Sequence, residues 1–154
     1  MDYLTLKWIH ILSSTLLMGT GLGIAFFMWM AHRTRDARVI AATARVVVIA
    51  DAIFTAPAVV IQLGSGLWLT QMLKLPLSSF WITAALVLFG VTGLCWLPVL
   101  WLQWRARNLA QQAVAGGGEL PASYARVMRW WFWLGWPAFI SVIAIFWLMV
   151  AKPL

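Results

Sequence analysis

Acidic residues and cysteine are scarce in this chain: its 154 residues include four Asp or Glu residues and one cysteine. The single thiol, Cys95, permits no internal disulfide, and without a C-x-x-C partner it supports neither a zinc site nor an iron–sulfur site. The few acids argue against dense cation-transport chemistry. The chain also lacks a Walker A sequence, H-E-x-x-H, G-x-S-x-G and the dinucleotide-binding fingerprint, which argues against hydrolases, kinases and nucleotide-driven pumps.

Hydrophobic residues make up 64% of the chain and charged residues 10%, against roughly 45–50% and 25% in soluble domains. Such a chain requires lipid as its solvent. The first apolar run is too long for a signal peptide and three more follow, so we predict one transmembrane domain over residues 1–154. The net charge of +7 comes from short basic patches at span ends. These patches indicate topology and anionic lipid, not nucleic acid.

Four apolar segments predict membrane spans at about 4–30, 46–72, 79–104 and 124–150. Residues 39–45 are expected to extend the second helix beyond the membrane. Because the connections are short, sequential helices should be antiparallel, which predicts an all-α, four-helix transmembrane bundle.

Arginine and lysine lie on opposite sides of the predicted bundle. The three lysines, Lys7, Lys74 and Lys152, flank one side, and every arginine lies in or beside the connections on the other. Excess positive charge marks the cytoplasmic face. We therefore expect both termini on the periplasmic side of a bacterial inner membrane.

Proline and glycine predict an irregular interior. Pro57, Pro98 and Pro137 fall inside three spans, where each removes a backbone hydrogen bond and kinks its helix. Three kinked helices around a straight one favour a widened interior. Gly19 and Gly23 form a G-x-x-x-G, which predicts either a helix-packing face or room for the edge of a ligand.

Tryptophan is unusually abundant, with twelve residues. About half lie near predicted span ends, which is typical of the aromatic belt. The deeper ones would either fill gaps in the bundle or wall a flat cofactor. They are Trp96, Trp101, Trp133, Trp136 and Trp147.

Polar side chains in the spans are the candidates for function, because a charged group there costs about 2.5–3.5 kcal/mol on insertion scales. His10, near the outer end of span one, is a candidate haem ligand, proton or substrate relay, or structural residue. Lys7 lies on the same helix face and would contact a haem propionate or a lipid headgroup, or simply snorkel. Gln62 should lie at a similar depth to His10.

Asp51 is the only acid within a predicted span. It should lie roughly 9 Å inside the boundary marked by Arg45, so it must be protonated or paired. We expect it to face the bundle interior and to contact a cationic or hydrogen-bonding side chain of span one, three or four, with Arg126, Arg129 or a bent Arg45 as candidate cations. The alternatives are a structural salt bridge, a proton path, or an anchor for a propionate.

Several short runs together resemble a bacterial family of predicted integral membrane proteins of unknown function, DUF2269. They are residues 7–10 (KWIH), 19–23 (GTGLG), 51–60 (DAIFTAPAVV), 95–99 (CWLPV) and 101–103 (WLQ). The resemblance spans nearly the whole chain and implies a helical, inner-membrane protein. More distantly, the Lys7-x-x-His10 spacing resembles the HemJ and CopD-like small membrane proteins. That resemblance implies a b-type haem ligated at the position of His10, although Ser14 departs from the HemJ pattern.

Two functional hypotheses follow. The first is a redox-linked protein that binds haem b through His10, with Lys7, Gln62 and Arg45 around the cofactor; it would be a haem-dependent membrane oxidoreductase or an electron-transfer accessory using a redox partner or a quinone. Its catalytic residues are not apparent. The second is a non-enzymatic small transporter, or a structural or accessory subunit. Either is compatible with a homodimer that packs through the glycine face.

Overall fold

The computed structural model describes residues 1–153, which form four long helices and no strand. The helices are α1 (Tyr3–Thr34), α2 (Ala37–Met72), α3 (Phe80–Ala115) and α4 (Ala122–Ala151), and each is long and apolar enough to cross a membrane. The predicted all-α, four-helix architecture is confirmed. Each helix includes its predicted span almost entirely, and α3 continues about three turns beyond it.

Two ends of the bundle are named by their basic residues. The arginine end carries the two-residue connection between α1 and α2 and the connection over residues 116–121. The lysine end carries the start of α1, the end of α4 and the connection over residues 73–79. Which end faces the cytoplasm stays a prediction.

Helix boundaries follow from local backbone chemistry. Asp2 and Asp36 are N-caps whose carboxylates accept hydrogen bonds from the amides of Thr5 (2.9 Å) and Arg38 (2.7 Å). Gly117 and Gly118 have φ values of 104° and 99°, which favour glycine in the turn that follows α3.

Helix α2 changes geometry in its middle. Ala37–Ala50 and Ala56–Met72 are α-helical, and Asp51–Thr55 forms a π-helical turn between them. Pro57, two residues beyond the turn, has no N–H to donate to the preceding turn, and such interruptions are commonly relieved by local rewinding. The expected extension over residues 39–45 is continuous with the span. The irregularity predicted from Pro57 takes the form of this π-turn.

The arginine half of the bundle holds the main apolar core. All four helices contribute to it, and alanine at four positions allows them to approach closely. Its buried members are Ile24, Met28, Ala31, Ile40, Ala44, Val47, Val99, Leu102, Ala106, Ala110, Tyr124, Val127, Met128 and Trp131.

The lysine half separates into two helix pairs. Residues Ala56–Met72 of α2 pack on α1 and make scarcely any contact with α3 or α4, whereas α3 and α4 stay packed on each other. Among residues 1–153 the bundle is therefore closed at the arginine end and open at the lysine end.

Two packing expectations are wrong for the single chain. A Cβ built at Gly19 would meet nothing within 4 Å, and one at Gly23 would meet only Phe27 of the same helix, so this face packs on no other helix. Four deep tryptophans point outward instead of filling the bundle, with exposed fractions of 49–64%. They are Trp101, Trp133, Trp136 and Trp147. In lipid an apolar side chain gains little by facing inward, so hydrophobicity alone does not fix its direction.

Candidate functional site

Two groups of polar side chains lie along one face of α2. The first, named the His10 cluster, joins His10 and Ser13 of α1 to Gln62 and Ser65 of α2. The second, named the Asp51 cluster, contains Asp51 and Thr55 of α2 and Trp96 and Gln103 of α3. On α2 the contributing positions are separated by four, seven and three residues, a spacing that keeps them on one helical face.

The His10 cluster is a closed hydrogen-bond network. Nδ1 of His10 lies 2.8 Å from Ser65 Oγ, and Nε2 lies 3.0 Å from the side-chain nitrogen of Gln62. The Ser65 hydroxyl donates to the carbonyl of Ile61, so it accepts from Nδ1–H. The Gln62 amide then donates to Nε2, and its oxygen accepts from Ser13. This assignment makes His10 a neutral imidazole with its proton on Nδ1.

Gly66 sets how closely α2 approaches the imidazole. A Cβ at this position would lie 3.1 Å from Cε1 of His10, closer than ordinary van der Waals contact. By contrast, a Cβ at Gly64 would meet nothing within 4 Å. The glycine that matters for this site is therefore Gly66.

Asp51 is buried without a charged partner. It is 4% exposed and is the first residue of the π-turn. The side chains of Thr55, Gln103 and Trp96 face its carboxyl group, yet Oδ2 has no hydrogen-bond partner. Oε1 of Gln103, which is 2% exposed, also has none. The hydroxyl of Thr55 is likewise without a partner, so two buried acceptors and one buried hydroxyl lie unpaired in this cluster.

A cavity of about 300 Å³ adjoins the Asp51 cluster between α2 and α3. Its lining is almost entirely apolar apart from Asp51 and Gln103. The lining residues are Val48, Asp51, Ala52, Ala56, Leu100 and Gln103. π-Turns occur frequently at functional sites, and here the turn supplies Asp51 and Ala52 to the cavity wall.

The structure brings only some of the sequence-predicted site residues together. His10 and Gln62 are in contact. Lys7 is exposed and lies over the ring of Tyr3, 5.6 Å from its centroid. Arg45 is exposed and lies seventeen residues before Gln62, about 25 Å along the helix. One cofactor ligated at His10 would not reach Arg45.

The predicted salt bridge to Asp51 is not formed within residues 1–153. Arg45, Arg126 and Arg129 are all exposed, and the neighbours of the carboxyl group are uncharged. An arginine gains hydration by reaching out from the arginine end, which outweighs pairing with a carboxyl group inside the bundle.

A haem fits His10 poorly in this arrangement. Ser65 and Gln62 occupy both imidazole nitrogens, so ligation through Nε2 requires Gln62 to move. A groove of about 440 Å³ lies along α1, and neither it nor the cavity beside Asp51 is lined by His10. The Nδ1–Ser65 hydrogen bond is nevertheless the kind of outer contact that orients a metal-binding imidazole.

Four apolar helices with polar side chains held between them define a multi-pass integral membrane protein. Residues 4–153 match the family described as predicted integral membrane protein (DUF2269). The chain therefore belongs to this family, as its sequence resemblance indicated. No curated protein and no solved structure matches the chain.

Proposed function

We propose that this protein is a small, non-enzymatic membrane transporter in which Asp51 takes up and releases a proton. The observation that carries this proposal is a carboxyl group that is buried in the spanning part of the bundle without an ion pair. Ionisable residues within membrane spans mark substrate pathways, ion pathways and proton relays, among other functional sites. Its position on a π-turn, where the closed and open halves meet, adds to this.

The environment of Asp51 favours a neutral carboxylic acid. An unpaired carboxylate carries a large desolvation cost, whereas a protonated acid both loses the charge and gains an O–H donor. Two acceptors, Asp51 Oδ2 and Gln103 Oε1, lack a donor. A proton shared in this cluster reduces that deficit, and its release leaves a charge that a substrate can balance.

The two polar clusters lie in series along α2. Thr55 and Gln62 are seven residues apart, about 10 Å along the helix, and the intervening residue on that face is the buried Ala58. This apolar interval separates the His10 cluster from the Asp51 cluster. It acts as a barrier to free proton flow, so transfer between the clusters requires a change in helix packing.

The uneven packing of the bundle allows such a change in helix packing. The arginine half is held by its common core, whereas Ala56–Met72 and α1 form a pair that contacts α3 and α4 little. Movement of Ala56–Met72 about the π-turn opens or covers Asp51 from the lysine end. Hinges of this kind are located at a few element-terminal residues.

Proton flux into vesicles tests the proposal. The purified protein is reconstituted in liposomes containing a pH-sensitive dye, and a pH step is applied. Asp51→Asn should lose most of the protein-dependent flux. Asp36→Asn is the matched control, because it removes an exposed acid while keeping an N-cap side chain. Equal flux in Asp51→Asn and wild type, or wild-type flux no greater than in empty vesicles, would contradict the proposal.

Haem b binding at His10 is the second candidate function, as a membrane oxidoreductase or electron-transfer accessory with a redox partner or quinone. It is favoured by the Ser65 contact to Nδ1, which would orient the ring for ligation through Nε2 once Gln62 moves away. An optical spectrum of detergent-purified protein decides it. A Soret band that shifts on reduction and disappears in His10→Ala supports haem; a colourless, fully folded protein excludes this candidate.

A structural or accessory role in the bacterial inner membrane is the third candidate, since the glycine face of α1 is open to a second copy or another subunit. Crosslinking through Gly19→Cys in a Cys95→Ala background tests a homodimer. A crosslinked dimer in membranes at low expression supports it, and a monomer under oxidising conditions argues against packing through this face.

A further inference from the structure

We propose that the cavity between α2 and α3 binds a compact lipophilic amine, with the amine nitrogen at Asp51 and Gln103. This inference rests on the proposed transport function and names its substrate class. The cavity combines a buried acid, a buried carboxamide and an apolar wall, a combination that specifies both ends of a ligand.

The polar end of the ligand must donate hydrogen bonds. Oδ2 of Asp51 and Oε1 of Gln103 are acceptors, both belong to residues more than nine-tenths buried, and neither has a partner. The terminal side-chain torsions of Asp and Gln have broad minima, so a small rotation turns either oxygen toward the cavity that both residues line. An amine or ammonium group supplies two or more N–H donors at one atom, which matches two acceptors on residues that line one cavity.

The other end of the ligand must be apolar and small. Val48, Ala52, Ala56 and Leu100 form the remaining wall and offer no hydrogen-bonding side chain. A volume of about 300 Å³ is at the lower end of ligand pockets. The site therefore suits a single ring or short alkyl chain bearing one amine, and it is too small for a tetrapyrrole.

The position of the cavity indicates how the ligand enters. Ala52 is exposed, so the cavity opens sideways between α2 and α3, within the apolar length of both helices. A neutral amine partitions into lipid more readily than its cation. Once bound, it takes the proton from the Asp51 carboxyl, leaving an ammonium group beside a carboxylate. One proton moves from oxygen to nitrogen, and no net charge enters the membrane.

A matched set of three probes tests the donor requirement. They are phenethylamine, its N,N,N-trimethyl derivative, which keeps the positive charge but has no N–H, and ethylbenzene, which keeps only the apolar body. Isothermal titration with the detergent-purified full-length protein should show phenethylamine binding at least about tenfold more tightly than either analogue. Equal affinity for the amine and the trimethyl derivative would overturn the proposal.

Variants then locate the site. Asp51→Asn should weaken phenethylamine binding about tenfold or more. Gln103→Leu should weaken it by a smaller factor, and Gln111→Leu, an exposed glutamine of the same helix, should not change it. Ala52→Leu narrows the cavity while keeping both polar side chains, so it should also reduce binding if Asp51→Asn proves poorly folded. Unchanged affinity in both Asp51→Asn and Ala52→Leu would show that the amine binds elsewhere.

This experiment fails separately from the flux experiment. Amine binding at Asp51 without any protein-dependent proton flux contradicts the transporter but leaves the amine site intact. Proton flux that depends on Asp51, in a protein that does not distinguish phenethylamine from its analogues, supports the transporter and refutes the amine as its substrate class.

Discussion

Different interactions hold the helices together in the two halves of this bundle. In the arginine half, all four helices share one core of fully buried side chains such as Met28, Ile40 and Ala106. In the lysine half, α1 and α2 are joined largely through the polar His10 cluster. One half is thus held by close apolar contact and the other by a few directional hydrogen bonds.

This difference shows what associates helices in lipid. Apolar side chains face lipid at no great cost, so helices associate where small residues allow close contact or where polar groups need partners. The arginine half uses alanine for close contact. In the lysine half, Gly66 and the His10 network join α1 to α2 only. This pair can therefore separate from the pair that α3 and α4 form.

The largest expected effect concerns the two ends, which should lie in different aqueous compartments. Ser78→Cys at the lysine end and Glu119→Cys at the arginine end are both exposed positions, and Cys95→Ala removes the native thiol. A membrane-impermeant maleimide applied to intact bacterial spheroplasts should label Cys at 78 and leave Cys at 119 unlabelled until the cells are lysed. Labelling of both positions in intact spheroplasts would rule out this topology, and the reverse pattern would invert the orientation.

The arginine half should be the more sensitive to loss of volume. Met28 is 0% exposed, so Met28→Ala leaves a cavity and should cost about 2–5 kcal/mol of unfolding free energy. Met30, two residues along the same helix, is 45% exposed, so Met30→Ala should cost far less. Unfolding in mixed micelles with increasing SDS, followed by circular dichroism, measures both. Similar midpoints for the two variants would mean that the shared core does not dominate stability.

The stability of the lysine half should depend on Gly66 and should tolerate substitution of Gly64. Gly66→Ala places a methyl group 3.1 Å from the His10 ring, so the ring must shift and its hydrogen bonds to Gln62 and Ser65 weaken. We expect a loss of about 1–2 kcal/mol. Gly64→Ala meets open space and should be neutral or slightly stabilising because alanine favours helix.

The same unfolding assay compares the two glycine variants. The single variants Gly66→Ala and His10→Ala, together with the double variant, form a double-mutant cycle. If the methyl group acts through the imidazole, its cost should largely vanish when His10 is already absent. An undiminished cost in the double variant would assign the effect to the helix backbone instead.

The four-helix fold could be predicted from the sequence because long apolar runs and basic connections are local features, each visible within one segment of the chain. It also placed Gln62 at the depth of His10, since depth follows from counting residues along antiparallel helices. The π-turn at Asp51 was harder, because Pro57 predicts an irregularity but not the form it takes.

Partners across helices could not be derived in the same way. Ser65 and Ser13 look like ordinary small residues in the sequence. The contacts of Ser65 with His10 and of Ser13 with Gln62 depend on how α1 and α2 rotate about their axes. The arginine partner expected for Asp51 is not observed for a related reason. A long side chain near the end of a span can reach water instead of pairing with a buried carboxyl group. The outward direction of the deep tryptophans was not predicted, because in lipid an apolar ring gains little by facing inward.

The smallest expected effect lies at the lysine end, where Asp2 caps α1. Its carboxylate accepts hydrogen bonds from the amide of Thr5 at 2.9 Å and from the Thr5 hydroxyl at 2.8 Å, and these bonds hold the pKa of Asp2 below its ordinary value. A lowered folded-state pKa means that the cap stabilises the helix above about pH 4 and is lost as the pH falls through the folded-state value. The amide exchange rate of the first turn should therefore rise in acid relative to its intrinsic rate. Asp2→Asn keeps the cap without the titration and should remove that change, while the exchange of the arginine-half core should stay the same in both proteins. A pH-dependent first turn in Asp2→Asn would assign the effect to another group.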